Sequence, residues 1–385
     1  MDIASEWKKL ESTQRIVVKV GTSTLTHKTG NLNLVRMELL VRQLVDLKNQ
    51  GREVILVTSA AVGAGMGRLN IQERPKEMSA KQALAAIGQG ILMHIYEKYF
   101  GEFGIAVAQV LLTKDDVAHR QRYLNARNTL RQINEYGAVP IINENDTVAY
   151  DQIKVGDNDT LAAMVAGLVD ADLLVLLSDI DGLYTSDPRK DTTAKLIPVV
   201  EESTPEIEAL AGGEGSKLAS GGMVTKIAAA RIAVTQGIPM VLTNGSRRNC
   251  LQFLNDGLAE GKPDNHANGT LFIPKAHFLG SRKGWLAFST RTAGVIRVDE
   301  GASEALLKNG KSLLASGIRQ VEGDFSRGEV VEIRCEASII ARGIVNYSAK
   351  ELERIKGRHS SEIEGILGPG HDQEAVHRDN LSIWR

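Results

Sequence analysis

The sequence predicts an α/β protein: an open, mainly parallel sheet sandwiched by helices, followed by a small β-rich, barrel-like module. Three observations carry this expectation. Short runs of Val, Ile and Leu recur between Ile16 and Leu242, each ending abruptly in small polar residues. Helical periodicity fills the intervals between them. Beyond residue 276 the pattern shortens to β-elements punctuated by Gly301, Gly310, Gly323, Gly328 and Gly343. At 385 residues the chain exceeds one ordinary domain of ~100 to 200 residues, so two are expected, at 1–275 and 276–385.

Each element has its own warrant. Residues 16–20 form the first buried strand. Met37, Leu40, Val41, Leu44 and Leu47 then repeat at helical spacing, with Gly51 as the C-terminal stop, and a second strand at 54–57 completes a βαβ unit. A helix is expected at 80–100 and a strand at 107–112. Thr113 and Asp116 have capping-box spacing, which predicts a helix over 117–135. Further strands follow at 139–142, 173–177 and 240–242. Residues 256–276 carry Gly257, Gly261, Pro263 and Gly269 and read as a linker or an exposed loop. The second module has expected strands at 293–298, 317–321, 330–335 and 339–345.

Composition excludes several classes. With 43% hydrophobic and 24% charged residues, the chain has the material for a core and is not disordered. The net charge of -1 gives no global field toward nucleic acid or an anionic membrane. Cys250 and Cys335 are the only cysteines, so neither a disulfide framework nor a zinc pair is expected, and a reducing cytoplasm fits. No stretch reaches the ~18 apolar residues of a membrane span, and residues 1–14 lack the apolar core of a signal peptide.

The strand endings concentrate the polar chemistry: Gly21-Thr22-Ser23, Thr58-Ser59, Asn143-Glu144-Asn145-Asp146, Ser178-Asp179-Ile180-Asp181-Gly182 and Asn244-Gly245. In a parallel sheet these share one edge, where ligands bind. Lys19 lies inside the apolar run 16–20. It is either a buried cation reaching a phosphate beside Gly21 or a solvent-facing lysine on an edge strand. Gly221-Gly222 open a helix with Lys226 in its first turns, where a cation needs an anion to offset the helix dipole; a plain flexible turn is the alternative. The acidic and amide cluster at 143–159 either orients ligands, metal or lysines, or caps turns and helices. Residues 305–312 end in Gly310-Lys311-Ser312 but lack the first glycine of a phosphate loop.

Taken in order, Lys19-Val20-Gly21-Thr22-Ser23, Thr58-Ser59-Ala60-Ala61-Val62, Ile142-Asn143-Glu144-Asn145-Asp146, Val155-Gly156-Asp157-Asn158-Asp159, Ser178-Asp179-Ile180-Asp181-Gly182-Leu183-Tyr184 and Gly221-Gly222-Met223-Val224-Thr225-Lys226 resemble the glutamate 5-kinases of the amino-acid kinase superfamily. Val298-Asp299-Glu300-Gly301-Ala302 and Phe325-Ser326-Arg327-Gly328-Glu329-Val330 resemble a PUA domain. The resemblance implies ATP- and Mg²⁺-dependent phosphorylation of the γ-carboxylate of L-glutamate, the first step of proline biosynthesis. It assigns Lys19 and Lys226 to the transferring phosphoryl group, Gly21 beside it, and Asp157 to orienting the lysines. Glutamate falls to Ser59, Asp146 and Asn158, supported by Asn143 and Lys154. ATP falls to Ser178, Asp179, Ser220, Gly221, Gly222, Met223, Val224, Thr225 and Lys226. It further implies inhibition by proline, a homo-oligomer, and coupling to a glutamyl-phosphate reductase. Ala60 stands where the family pattern has glycine, and Ala219-Ser220 where it has Gly-Thr. The rival readings are another acceptor within the superfamily, or RNA binding through the PUA-like module, where Lys and Arg mildly exceed Asp and Glu.

Overall fold

The computed structural model describes residues 2–27, 29–149, 158–201, 207, 222–256, 269–274, 292–336 and 338–383. It divides into two compact units, Met1–Asp116 with Tyr123–Phe278, and Leu279–Arg385 with the short segment Val117–Arg122. The first unit is built on one eight-stranded sheet. Its strands are β1 (Arg15–Val20), β2 (Glu53–Val57), β3 (Val107–Leu112), β4 (Val139–Glu144), β5 (Leu173–Ser178), β6 (Val199–Val200), β7 (Met240–Asn244) and β8 (Thr270–Phe272), in the order β3-β4-β2-β1-β5-β7-β8-β6. All six strands read from the sequence are present. β6 and β8 were not legible, being too short to show a period, and β8 runs antiparallel to β7.

β1 lies at the centre because its residues bury on both faces, as the apolar run requires. It pairs in parallel with β2 and β5, setting Lys19 opposite Val57 and Leu176 near the carboxyl ends of three strands. Helix Leu34–Asn49 buries Met37, Leu40, Val41, Leu44 and Leu47 against the sheet, and Gly51 follows at φ 90°. Helix Asn158–Leu168 differs, since every residue from Asp159 to Leu168 is buried. A helix apolar all round belongs inside the molecule, and a carboxylate at its head must then find a cation.

The expected helix over 117–135 is corrected. Thr113 caps a short helix Lys114–Ala118: Asp116 N–H donates to Thr113 Oγ1 at 3.2 Å, and Thr113 N–H to Asp116 Oδ2 at 2.9 Å. The chain breaks at His119 before helix Arg120–Glu135, and no Gly or Pro marks that break. Helix Met78–Gly101 matches the expected 80–100 and packs on helix Ala61–Arg68 with glycine at both contacts. A β-carbon on Gly88 would lie 1.8 Å from the Ala61 carbonyl oxygen, and one on Gly65 2.1 Å from that of Leu84. The two backbones therefore touch, which fixes the turn at 58–60 to the longer helix.

The second unit holds a five-stranded sheet of β9 (Gly294–Val298), β11 (Ile318–Gly323), β12 (Val330–Cys335), β13 (Ser338–Ile344) and β15 (Leu381–Ile383), in the order β11-β9-β12-β13-β15. β10 (Leu313–Leu314) and β14 (Glu374–Val376) form a second, two-stranded sheet. The unit has its own core of Ile296, Ile333, Ala341, Tyr347 and Leu352. Among the described residues, no helix is long and apolar enough to cross a membrane.

Gly88→Ala is expected to destabilise the first unit by ~1 to 3 kcal/mol or more, because the added methyl meets backbone that cannot yield. Thermal unfolding of the two proteins measures it; an unchanged midpoint would show that the helices are free to separate.

Candidate active site

The carboxyl edge of the sheet collects Gly21 after β1, Thr58 and Ser59 after β2, Asn143 at the end of β4, Ser178 at the end of β5 and Gly245 after β7. Three elements meet there around one carboxylate. Asp159, in the first turn of the all-buried helix, is fully buried and forms ion pairs with Lys19 through Oδ1 and with Lys226 through Oδ2, the latter at 3.1 Å. Thr225 Oγ1 also donates to Asp159 Oδ2 at 3.1 Å. Burial by itself pushes the Asp159 carboxyl up, but Lys19 and Lys226 outweigh it and hold the group below the usual carboxylate range.

Lys19 is 4% exposed, so its position inside a buried strand is real and the edge-strand alternative is excluded. Helix Gly222–Thr235 begins at the expected glycine, and Lys226 Nζ donates to Gly222 O at 3.0 Å, folding back over the helix start. Asp159 is the anion that a cation at this end of the dipole needs. Gly21 runs beside the ammonium: a β-carbon there would lie at ordinary van der Waals distance, 3.5 Å, from Lys19 Nζ.

The carboxylate that holds the two lysines is therefore Asp159, an acid of the 143–159 cluster to which the resemblance assigns no individual role. Its signal was present, as an acid heading an apolar helix, but the Asp157-Asn158-Asp159 run offers two acids for one task. Asp157, Lys154, Ser220 and Gly221 lie outside the described residues.

Next to the triad is a neutral amide network. Asn158 Nδ2 lies 2.9 Å from Thr58 O, 3.0 Å from Ser59 Oγ and 2.9 Å from Asn143 Oδ1. Asn143 Nδ2 in turn donates to Gln89 Oε1 at 2.8 Å. Thr58 Oγ1 shares a 2.8 Å hydrogen bond with Tyr96 OH, joining the end of β2 to helix Met78–Gly101. Ser59, Asn143 and Asn158 are thus brought together as expected; Gln89 was not anticipated. Asp146 is half-buried two residues beyond β4, and burial raises its carboxyl above the ordinary value, with Arg74 pulling it partly back.

The turn carrying Ser59 contains a backbone feature the sequence alone did not reveal. Ala60 has φ 76° and ψ 10°, in the left-handed region that a β-carbon disfavours by about 1–2 kcal/mol. The resemblance leads to the expectation of glycine here, and this conformation is one that glycine adopts without that cost.

On the other flank, Ser178 Oγ donates to Asp179 Oδ1 at 3.2 Å, and Gly245 N–H donates to Ser178 O at 2.8 Å. Asp179 faces the exposed Arg189 at 3.5 Å. Asp181 is held by Arg247 at 2.7 Å, Asn244 at 3.1 Å and Tyr184 OH at 3.3 Å, so it ties the ends of β5 and β7 together. Gly222, Met223, Val224 and Thr225 open the helix that ends this flank, with Val224 exposed. The described residues contain no cluster of three metal-ligating side chains.

Comparison with known proteins gives the family. The amino acid kinase family pattern matches residues 14–244, and a PUA domain pattern matches 294–367. A protein of Moorella thermoacetica, named glutamate 5-kinase, is 55% identical over 97% of both chains. Proteins of the same name from Caldanaerobacter subterraneus subsp. tengcongensis and Geobacter sulfurreducens are 53% and 48% identical, over 96% and 97% of this chain and 97% and 98% of theirs.

Asp159→Asn is expected to cost ~3 to 5 kcal/mol at neutral pH, since two buried ammonium groups lose their common partner. The Asp159 pKa is depressed on folding, so its contribution is present above the unfolded value of ~4 and is lost as pH falls through the lower folded value. Denaturant titrations across that window should show wild type and variant converging on the acid side; a difference independent of pH would remove the ion triad as the cause.

Proposed function

The chain belongs to the amino acid kinase family, among the glutamate 5-kinases, and from that premise we propose how its described residues divide the reaction. The activity is ATP-dependent phosphorylation of L-glutamate in proline biosynthesis. Lys19 and Lys226 flank the transferring phosphoryl group and neutralise the charge that spreads over its oxygens. Asp159 keeps the two ammonium groups together before substrates arrive. One oxygen of the glutamate γ-carboxylate attacks the γ-phosphorus, the bond to the β-phosphate oxygen breaks, and ADP leaves. No proton moves, because the nucleophile is already ionised at neutral pH. A general base is unnecessary, and positioning carries the catalysis.

The single observation supporting this division is the meeting of Lys19 and Lys226 on one buried carboxylate at the ligand edge of the sheet. Ser59, Asn143, Asn158 and Asp146 form the acceptor pocket, with Lys154 supporting it by resemblance, and the resemblance gives Asp157 to the orientation of the lysines. Ser178, Asp179 and residues 220–226 take the nucleotide. Magnesium would be held chiefly by triphosphate oxygens and would offset their charge, since the described residues gather no cluster of three metal-ligating side chains. Proline presents the same α-carboxylate and ammonium as glutamate and competes for the same pocket. The acyl phosphate product is labile in water, so a reductase that consumes it promptly fits the chemistry.

Lys226→Ala is expected to lower kcat by ~10²-fold or more with the fold retained, as loss of a transition-state contact should. Asp146→Ala should chiefly raise the KM for glutamate. A survey of ADP release with glutamate, acetylglutamate, aspartate, carbamate and nucleoside monophosphates tests the acceptor, and preference for any but glutamate would refute the assignment.

A further inference from the structure

Gln89 lies on helix Met78–Gly101 among Leu84, Ala85, Leu92 and Tyr96, and is 8% exposed. A primary amide on the buried face of a helix is unfavourable unless its polar atoms are matched. Only half of this one is. Its Oε1 accepts from Asn143 Nδ2 at 2.8 Å, while its Nε2 has no acceptor among the described residues.

The direction of every amide in this relay is set by one group that can only donate. The backbone N–H of Glu144 donates to Asn143 Oδ1 at 2.9 Å. Asn143 must therefore turn its oxygen toward that N–H and its nitrogen toward Gln89, and Gln89 must answer with oxygen. The same Asn143 Oδ1 accepts from Asn158 Nδ2, which commits the Asn158 nitrogen to the side of Ser59 Oγ and Thr58 O. Asn158 Oδ1 is buried and has no partner among the described residues. Each link depends on its neighbour, and Gln89 is the terminal acceptor that holds Asn143 in place.

We propose that Gln89 is a positioning residue for the acceptor amino acid, acting through Asn143 to lock the amide orientations of Asn143 and Asn158 and, with them, the Ser59 hydroxyl. The inference rests on the reading of Ser59, Asn143 and Asn158 as the acceptor pocket. Gln89 touches neither lysine nor nucleotide in this scheme, so its loss acts on glutamate binding and spares ATP. A residue that merely filled the core would weaken the fold and change both substrates alike.

The test is steady-state kinetics on the full chain with Gln89→Met, which keeps the side-chain length and removes the acceptor. The KM for glutamate should rise ~10-fold or more while kcat and the KM for ATP stay within ~3-fold. Asn143→Ala should raise the same KM, and adding Gln89→Met to it should change the value by less than ~2-fold, because both substitutions remove one relay. If Asn143→Ala raises the KM and Gln89→Met does not, the role of Gln89 is overturned and the pocket stands. If Asn143→Ala leaves the KM unchanged, the pocket assignment falls and the inference with it. Additive effects, or equal losses for both substrates, would make Gln89 a packing residue and overturn the proposal. Should Gln89→Met fail to fold, Gln89→Asn draws the acceptor back by one methylene and is judged by the same outcomes.

Discussion

A single buried carboxylate organises the catalytic half of this chain. Asp159 receives Lys19 from the central strand and Lys226 from a helix that enters the fold some two hundred residues later. Withdrawing three charges from water is costly, and their mutual attraction offsets the cost only when the geometry is good. The fold supplies it from rigid parts: β1 is hydrogen-bonded on both sides, and the helix that carries Asp159 is enclosed along its whole length. Placing the ions on such elements means the end of the site proposed to handle the phosphoryl group is set by the core itself.

The opposite end of the site is governed by hydrogen bonds between neutral groups. Ser59, Asn143, Asn158 and Gln89 come from four separate elements, yet three amides and one hydroxyl form one directed series. Close backbone contact through Gly65 and Gly88 couples the Ser59 turn to the helix bearing Gln89. Charge thus fixes one end of the pocket and directional bonding the other. That division suits a reaction in which a phosphoryl group is stabilised by charge at one point while directional hydrogen bonds at another orient the acceptor.

Much of this was legible in the sequence, and the gaps have physical causes. Strands buried on both faces announce themselves as unbroken aliphatic runs, and all six such runs became strands. Lys19 and Lys226 stood out because a cation in apolar or helix-opening surroundings demands an explanation. Asp159 did not, because acids and amides near a helix start are equally explained as caps. Gln89 was hidden for another reason: its helix is apolar on most sides, so no period isolates one polar residue as unusual. The break at His119 left no composition signal, and β6 and β8, of two and three residues, lie below the length at which a period exists. The left-handed backbone at Ala60 is written in dihedral angles, not in residue type, and only the family pattern of glycine hinted at it.

The resting triad also has an effect on which anions the protein admits. Two ammonium groups against one carboxylate leave a single net positive charge. Inorganic phosphate, sulfate or a lone carboxylate drifting into the cleft meets cations that already have a counter-ion and gains little by displacing it. A nucleotide that is anchored elsewhere along the sheet edge and delivers its terminal phosphate at high local concentration can compete for the same lysines. On electrostatic grounds the internal salt link thus favours a ligand gripped at more than one place over a free anion.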